Sequence, residues 1–185
     1  TARDIREAFC TAREVGFACI NMDLIAGLPQ DSVEGFRDSL EEVLALRPEN
    51  ITVHTLAMKK GSRLMEEGGA LPSGEETGRM VDLSLEALEG AGYRPYYLYR
   101  QKYMSGGLEN VSWCLPGTEN HYNIIMMEEL QSVLSLGAGG VTKLVDRSSG
   151  RIVRLTNPKY PHDYLAMSAK VLEQKDEILR FYREV

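Results

Sequence analysis

The sequence lacks the features that mark several large classes of protein. No apolar run approaches the ~20 residues that cross a bilayer, and no signal-peptide pattern is present. A formal net charge of -6 argues against a general affinity for nucleic acid, which depends on Lys and Arg neutralising phosphates. With 43% hydrophobic and 26% charged residues, the composition is instead that of a globular domain that can build a core.

Cysteine and histidine are too few and too scattered to indicate a local metal site. Cys10, Cys19 and Cys114 are an odd number without a C-x-x-C pair, which argues against both a disulfide framework and a zinc site. The three histidines include no pair at helical spacing, so no metal ligand is predicted. We therefore expect a reducing compartment, the cytoplasm.

Nucleotide-binding motifs are also missing. To bind a dinucleotide, the glycine-rich run at residues 137–140 would need a glycine in place of Thr142 and a helix that begins within the run, whereas its flanks favour strands. We interpret this run as a tight turn or a close backbone contact. The sequence contains neither a phosphate-cradling lysine motif nor a G-x-S-x-G nucleophile elbow, and it identifies no catalytic residue.

The most informative stretch is INMDLIAGLPQDS at residues 20–32. A short apolar run bounded by Gly and Pro predicts a strand buried on both faces, as in parallel α/β sheets. The Asp31-x-x-Glu34 step then resembles a capping box that begins a helix, and Asp31 or Ser32 is the predicted cap. Ligands collect at the carboxyl ends of such strands, so Asp23 is either a ligand contact or a buried carboxylate that caps a neighbouring loop.

Helices and strands alternate in the first half of the chain. The spacing of apolar residues predicts helices over residues 1–16 and 31–46, one on each side of the first strand. NITVHTLA at residues 50–57 predicts a second strand. This order, with short connections, indicates a parallel sheet with right-handed crossovers. Asp23 and His54 then occupy comparable positions on neighbouring strands, which is the best physical indication of a site. The other interpretation of His54 is a hydrogen-bonded structural residue.

The second half of the chain mixes helices and strands. We predict a helix over residues 75–90, a strand over residues 93–104 with Tyr97 and Tyr99 on one face, and a loop over residues 105–119. A helix over residues 121–133 follows, then a β-hairpin with the turn DRSSG at residues 146–150, and a long helix from Pro158 onward. The predicted domains are residues 1–91 and 92–185.

Several of these stretches together resemble one family. MDLIAGLPQ at residues 22–30, an amphipathic helix and NITVHTLA resemble the fifth and sixth strands of the radical S-adenosylmethionine (SAM) barrel in oxygen-independent coproporphyrinogen III oxidases. GSRL at residues 61–64, the Gly92-Tyr93 pair and residues 136–143 follow in the family's order. Residues 100–117 are most similar to the coproporphyrinogen dehydrogenase branch of this family.

The resemblance implies a fold and a chemistry. The fold is α/β: the carboxyl-terminal part of a radical SAM (β/α) barrel followed by an α+β accessory region. The family holds SAM on a 4Fe-4S cluster, which cleaves it to a 5′-deoxyadenosyl radical. That radical takes hydrogen from a substrate propionate, and oxidative decarboxylation of coproporphyrinogen III to protoporphyrinogen IX follows in haem biosynthesis. The implied partner is a small tetrapyrrole, with no nucleic acid or membrane, although some relatives carry haem instead.

The family's motifs also imply roles for particular positions. Asp23 would contact SAM from its strand, and the backbone of Leu56 and Ala57 would flank the adenosine part. Three cations are candidates to pair with substrate propionates, because guanidinium and ammonium groups suit carboxylates. They are Arg100, Lys102 and Arg147.

The sequence departs from the family's pattern in several places, and the family's His-Asn-x-x-Tyr-Trp is matched only loosely at residues 121–123. It contains no C-x3-C-x2-C motif for the cluster, so we expect a carboxyl-terminal fragment that is inactive alone. The family's Ser-Asn-Phe-Ala is replaced by YRQK at residues 99–102. A carboxyl-terminal fragment of a barrel would expose strand edges and apolar faces that the rest of the barrel normally covers. We therefore expect this chain to self-associate.

Overall fold

The chain folds into two compact units, Thr1–Asn120 and His121–Val185. The computed structural model describes residues 1–58, 63–67, 70–99 and 107–184, apart from the side chains of residues 65, 67 and 184. Each unit has a hydrophobic core of its own.

The first unit is a four-stranded sheet with helices packed on one face. Its elements are α1 (Ala2–Val15), β1 (Asn21–Ala26), α2 (Val33–Leu46), β2 (Asn50–Thr55), α3 (Arg63–Glu67), α4 (Gly74–Gly90), β3 (Arg94–Tyr99) and β4 (Asn110–Cys114). The strand order is β1-β2-β4-β3. β1 and β2 are parallel, as predicted, whereas β4 is antiparallel to both of its neighbours.

The α2 helix begins one residue later than the predicted capping box. Ser32 is the cap, and its hydroxyl accepts a hydrogen bond from the Gly35 amide. The Asp31 carboxylate instead accepts from the Ser32 amide at 2.8 Å. The prediction of a box between Asp31 and Glu34 is therefore wrong, because Ser32 already satisfies the amide in the first turn.

The core of the first unit lies between the sheet and two helices. α2 and α4 contact each other, and both pack on the same face of the sheet. Tyr93 is buried there. Its hydroxyl donates to the Pro48 carbonyl at 2.6 Å, so this buried polar group still has a hydrogen-bond partner. The side chains buried in this core are Ala26, Phe36, Leu40, Val43, Ile51, Val53, Met80, Leu88, Tyr93 and Trp113.

β1 is covered on one face only, which contradicts the prediction that both of its faces are buried. Met22, Leu24 and Ala26 are partly or fully covered, whereas Asn21, Asp23 and Ile25 on the opposite side are exposed. The reason is that the helices cover only one side of the sheet, so alternate residues of β1 face away from the core.

The predicted loop over residues 105–119 contains a strand. β4 lies between β2 and β3, and Trp113 is buried in the core. The prediction is wrong because the Gly and Pro residues that indicated a loop flank the strand segment NVSWC instead of interrupting it. β3 and β4 lie beyond residue 91 and complete the sheet of the first unit. The division into a barrel part and a family-specific part at that residue stays a prediction.

The second unit contains a β-hairpin packed on a helix. Its elements are α5 (His121–Met127), β5 (Val141–Val145), β6 (Ile152–Thr156), α6 (Pro161–Ala166) and α7 (Ser168–Glu184). The hairpin is antiparallel, as predicted, and Leu144, Leu155 and Phe181 form its core with α7. The glycine-rich run is a tight turn, because the Gly140 amide donates to the Gly137 carbonyl at 3.4 Å.

The two helical predictions in this unit are too long. α5 ends at Met127, and Glu129 then takes a left-handed backbone conformation with φ 51°. Met127 and Leu130 are exposed. The predicted last helix is two helices, because Met167 leaves helical geometry at φ -99° and ψ 32°. Within the described residues, every helix is too short or too polar to cross a membrane.

Candidate functional site

The side of the first unit's sheet that faces away from α2 and α4 is polar. The parallel register pairs Asp23 with Thr52, and the antiparallel register pairs Thr52 with Ser112, so these side chains project to the same side. A connected set of polar side chains runs across this side on all four strands. We call it the polar face, and it consists of Asn21, Asp23, Thr52, His54, Tyr99, Asn110 and Ser112.

Three of these side chains are joined across the sheet. His54 Nε2 lies 3.5 Å from Asp23 Oδ2, and His54 Nδ1 lies 3.0 Å from Tyr99 Oη. Since β2 and β3 are not neighbours, Tyr99 reaches over β4 to make its contact. A neutral imidazole has one N–H, and placing it on Nε2 leaves Nδ1 to accept from the tyrosine hydroxyl. One tautomer of His54 therefore serves both contacts.

The Asp23 carboxylate is held in its charged form. The contact with His54, whose Nε2 lies 3.5 Å from the carboxylate, is the main cause that lowers the pKa of Asp23, and it outweighs the partial burial that would raise it. Asn21 donates to Asp23 Oδ1 at 2.6 Å and lowers the pKa further. The Asp23 side chain is still 58% exposed, so it keeps acceptor capacity for a donor on a ligand.

A second chain of hydrogen bonds reaches Asp23 from the middle of the sheet. Thr52 donates to Asn21 Oδ1 at 3.2 Å, and its oxygen lies 2.7 Å from Ser112 Oγ. Because the Thr52 proton is directed to Asn21, Ser112 is the donor in the second contact. The charge contact with His54 and the hydrogen bonds through Asn21 therefore converge on the same carboxylate.

The carboxyl end of β2 is fixed from both sides. The Leu56 amide donates to the Ala26 carbonyl at 3.0 Å, and the Thr55 amide donates to Asn110 Oδ1 at 2.7 Å. Pairing between β2 and β4 stops at Val53, so the Asn110 side chain replaces a strand neighbour at Thr55. These bonds determine the path of the backbone into Leu56 and Ala57, which are both half-buried.

The structure brings some of the predicted site residues together. Asp23 on β1 and the pair Leu56 and Ala57 after β2 belong to neighbouring parallel strands of one sheet. Arg147 is exposed in the hairpin turn of the second unit. Arg100 and Lys102 lie outside the described residues. The SAM and substrate roles of these residues stay predictions.

Sequence reasoning missed four members of the polar face. Asn21 and Thr52 lie on predicted strands but were not singled out. Asn110 and Ser112 lie in the segment predicted to be a loop, and both are fully buried. The signal that identifies them is the alternation in NVSWC, where Asn110 and Ser112 alternate with Val111 and Trp113. Tyr97 and Tyr99 were predicted to share one face of their strand, and their rings do stack. The contact of Tyr99 with His54 depends on the strand order.

The described residues do not fit an iron-sulfur cluster. Among them, no group of three or more His, Cys, Asp or Glu side chains is arranged to hold a metal ion. Cys10 and Cys19 are exposed, Cys114 is buried, and all three thiols are free. Burial raises the pKa of Cys114 to about 11, which disfavours the thiolate that a metal requires.

Comparisons with known proteins agree on one family. No protein-family model matches the chain. The chain is 38% identical over its whole length to the oxygen-independent coproporphyrinogen-III oxidase-like protein HemZ of Bacillus subtilis, and it spans 37% of that protein. It is also 28% identical, over 58% of its length, to the heme chaperone HemW of Bacillus subtilis, and the match spans 29% of that protein.

A solved structure matches the fold. Coproporphyrinogen III oxidase HemN of Escherichia coli, a radical SAM enzyme, aligns with 75% of this chain and 32% of its own at a TM-score of 0.55 and 20% identity. The predicted fold class is thereby confirmed. The chain spans about a third of the length of these proteins. Its fold is that of HemN, and its sequence identifies it as a member of the oxygen-independent coproporphyrinogen III oxidase family, as its motifs predicted.

Proposed function

We propose that this segment binds SAM in a radical SAM enzyme that converts coproporphyrinogen III to protoporphyrinogen IX by oxygen-independent decarboxylation in haem biosynthesis. The observation that carries the proposal is the accessible Asp23 carboxylate, which His54 contacts at 3.5 Å and to which Asn21 donates, on the strand next to the fixed end of β2. When bound, SAM and a 4Fe-4S cluster supply the radical chemistry that removes hydrogen from a substrate propionate.

Asp23 binds SAM and takes no part in the chemical step. Its carboxylate is ionised and half-exposed, so it accepts charge-assisted hydrogen bonds from the hydroxyl or ammonium groups of SAM. Leu56 and Ala57 offer backbone groups at the end of β2. Their backbone is preorganised for a ligand, because Ala26 and Asn110 fix the chain on both sides before the ligand arrives.

The segment supplies only part of the machinery. Its described residues do not fit the cluster, so the cluster ligands come from other parts of the full-length protein, and the segment is inactive alone. Arg100, Lys102 and Arg147 are the proposed partners of the substrate's carboxylates. The exposed free thiols of Cys10 and Cys19 favour the cytoplasm as the location. Analytical ultracentrifugation of the isolated chain tests the expected self-association, which a monomer would contradict.

The test uses the full-length protein, purified without oxygen. It should have the absorbance of a 4Fe-4S cluster, cleave SAM and convert coproporphyrinogen III. The Asp23→Asn variant keeps the shape of the side chain but removes its charge, and it should weaken SAM binding by about tenfold, or ~1.4 kcal/mol. The matched control is Asp82→Asn, which changes an exposed carboxylate on α4 and should leave the affinity unchanged.

Two results would refute separate parts of the proposal. If a cluster-loaded protein cleaves SAM but leaves coproporphyrinogen III unchanged, then coproporphyrinogen III is not its substrate. If SAM affinity in Asp23→Asn equals that of the wild type, then Asp23 is not the SAM contact.

A haem carrier is the second candidate function. The similarity to the heme chaperone HemW, over more than half of this chain, favours it. A titration of the full-length protein with haem separates the two functions. Stoichiometric haem binding in a protein that does not convert coproporphyrinogen III would favour the carrier.

A further inference from the structure

His54 and Tyr99 form a pair within the polar face that a SAM contact at Asp23 alone does not explain. Their rings meet edge-on, with centroids 6.2 Å apart and planes at 70°. Tyr99 also stacks on Tyr97, with centroids 6.2 Å apart and planes at 11°. The Tyr99 ring is therefore packed against aromatic neighbours on two strands, and this fixes the direction in which its hydroxyl meets His54.

We propose that His54 is a positioning residue for Asp23 and that Tyr99 sets the tautomer of His54. Tyr99 Oη lies 3.0 Å from Nδ1, and Nε2 lies 3.5 Å from Asp23 Oδ2. In this proposal the tyrosine hydroxyl is the donor to Nδ1, so the imidazole proton resides on Nε2 and faces the carboxylate. Asn21 holds the other carboxylate oxygen. Asp23 is thus oriented from both sides before a ligand binds. The inference deepens the proposed function, since it rests on Asp23 as the SAM contact.

Folding stability does not account for this arrangement. Asp23 is 58% exposed and His54 is 25% exposed, and contacts between partly exposed charged groups contribute little to folding. The hydrophobic core lies on the opposite side of the sheet. The pair therefore affects the orientation and the charge of the Asp23 carboxylate, and both of these determine how well it binds a ligand.

Three substitutions separate the two contacts of the imidazole. His54→Gln places its amide nitrogen near the position of Nε2 and keeps a donor for Asp23. His54→Asn places its amide near the position of Nδ1 and loses that donor. Tyr99→Phe removes only the hydroxyl. The matched control is Tyr97→Phe, which removes a hydroxyl from the same strand and keeps the aromatic ring that stacks on Tyr99.

The first measurement uses this chain without any cofactor. NMR of the imidazole nitrogens should place the proton on Nε2 in the wild type and in Tyr97→Phe, and should find a mixture of tautomers in Tyr99→Phe. A carbon-detected titration of Asp23 should give a pKa that rises toward the ordinary value in His54→Asn and stays low in His54→Gln. An imidazole protonated on Nδ1, or an Asp23 titration unchanged in His54→Asn, would overturn the proposal.

The second measurement is SAM affinity in the full-length, cluster-loaded protein. His54→Asn and Tyr99→Phe should each weaken binding by about tenfold, since an oriented charge-assisted contact is lost, and His54→Gln should largely restore it. Wild-type affinity in His54→Asn would overturn the positioning role. If the wild-type protein itself does not bind SAM, the proposed function fails, while the titration of Asp23 still decides whether His54 orients it.

Discussion

Replacing Asn110 with alanine should loosen the carboxyl end of β2. Asn110 is 1% exposed, and its Oδ1 accepts the Thr55 amide at 2.7 Å. Thr55 is also buried, so water has little access to the amide that loses its acceptor. Leaving a buried donor without a partner costs about 1–3 kcal/mol. We therefore expect the first unit to lose stability by roughly the middle of that range.

The single tryptophan makes this loss measurable for the first unit alone. Trp113 lies on β4 and is buried in the core of that unit, and the sequence contains no other tryptophan. Its fluorescence during urea unfolding therefore reports on the first unit and not on the hairpin unit. With a loss of about 2 kcal/mol and a slope of about 1.5 kcal/mol/M, the urea midpoint should fall by about 1.3 M.

An isosteric variant distinguishes the loss of this hydrogen bond from a general loss of stability. Asn110→Asp keeps an oxygen near the position of Oδ1, so the Thr55 amide stays bonded, but it buries a charge and should also lower the midpoint. Hydrogen exchange at Thr55, compared with its neighbours in β2, should be faster only in Asn110→Ala. If Thr55 exchanges at the same relative rate in both variants, the side chain does not replace a strand neighbour and the reasoning is refuted.

Two further predictions concern packing and pH. Leu40 is fully buried between the helices and the sheet, so Leu40→Ala should lower the free energy of unfolding by about 2–5 kcal/mol. Leu85 is partly exposed, and Leu85→Ala should lower it by less than about 1 kcal/mol. Urea unfolding followed by tryptophan fluorescence measures both. In the hairpin turn, hydrogen bonds from Ser149 and Ser148 lower the pKa of Asp146 to about 2. The folded-state pKa of Asp146 lies below its ordinary value of about 4, so these bonds stabilise the turn fully above about pH 4. That stabilisation is lost as the pH falls from about 4 to about 2 and the carboxylate is protonated. A carboxyl titration should give a higher pKa in Ser149→Ala, and an unchanged one would contradict this assignment.

The elements that could be predicted are those with local signals. β1 and β2 are short apolar runs bounded by turn residues, and α1 ends at Gly16 with φ 99°, as a glycine after a helical repeat predicts. β4 has only the short alternation in NVSWC, between residues typical of a loop. Its five residues become a strand because β2 and β3 supply hydrogen bonds on both sides, and those partners are distant in the sequence.

The same distinction applies to the polar face. Asp23 and His54 were predicted to occupy comparable positions on neighbouring parallel strands. They do lie on the same side of neighbouring strands, but they are offset by two residues, because Asp23 pairs with Thr52 and Ile25 pairs with His54. The contact of His54 with Tyr99 could not be predicted, since it depends on β4, the later strand in the chain, being inserted between β2 and β3. A register argument holds only for strands whose neighbours are already known.

The inserted strand determines which side chain can serve His54. Strands two positions apart are separated by roughly 9.6 Å, twice the usual spacing, and a serine or asparagine on β3 could not span that distance. Tyrosine can, and the small polar side chains of Asn110 and Ser112 on β4 leave room for its ring to pass over the sheet. The strand order that the sequence did not predict is therefore the condition for the hydrogen-bond chain that ends at Asp23.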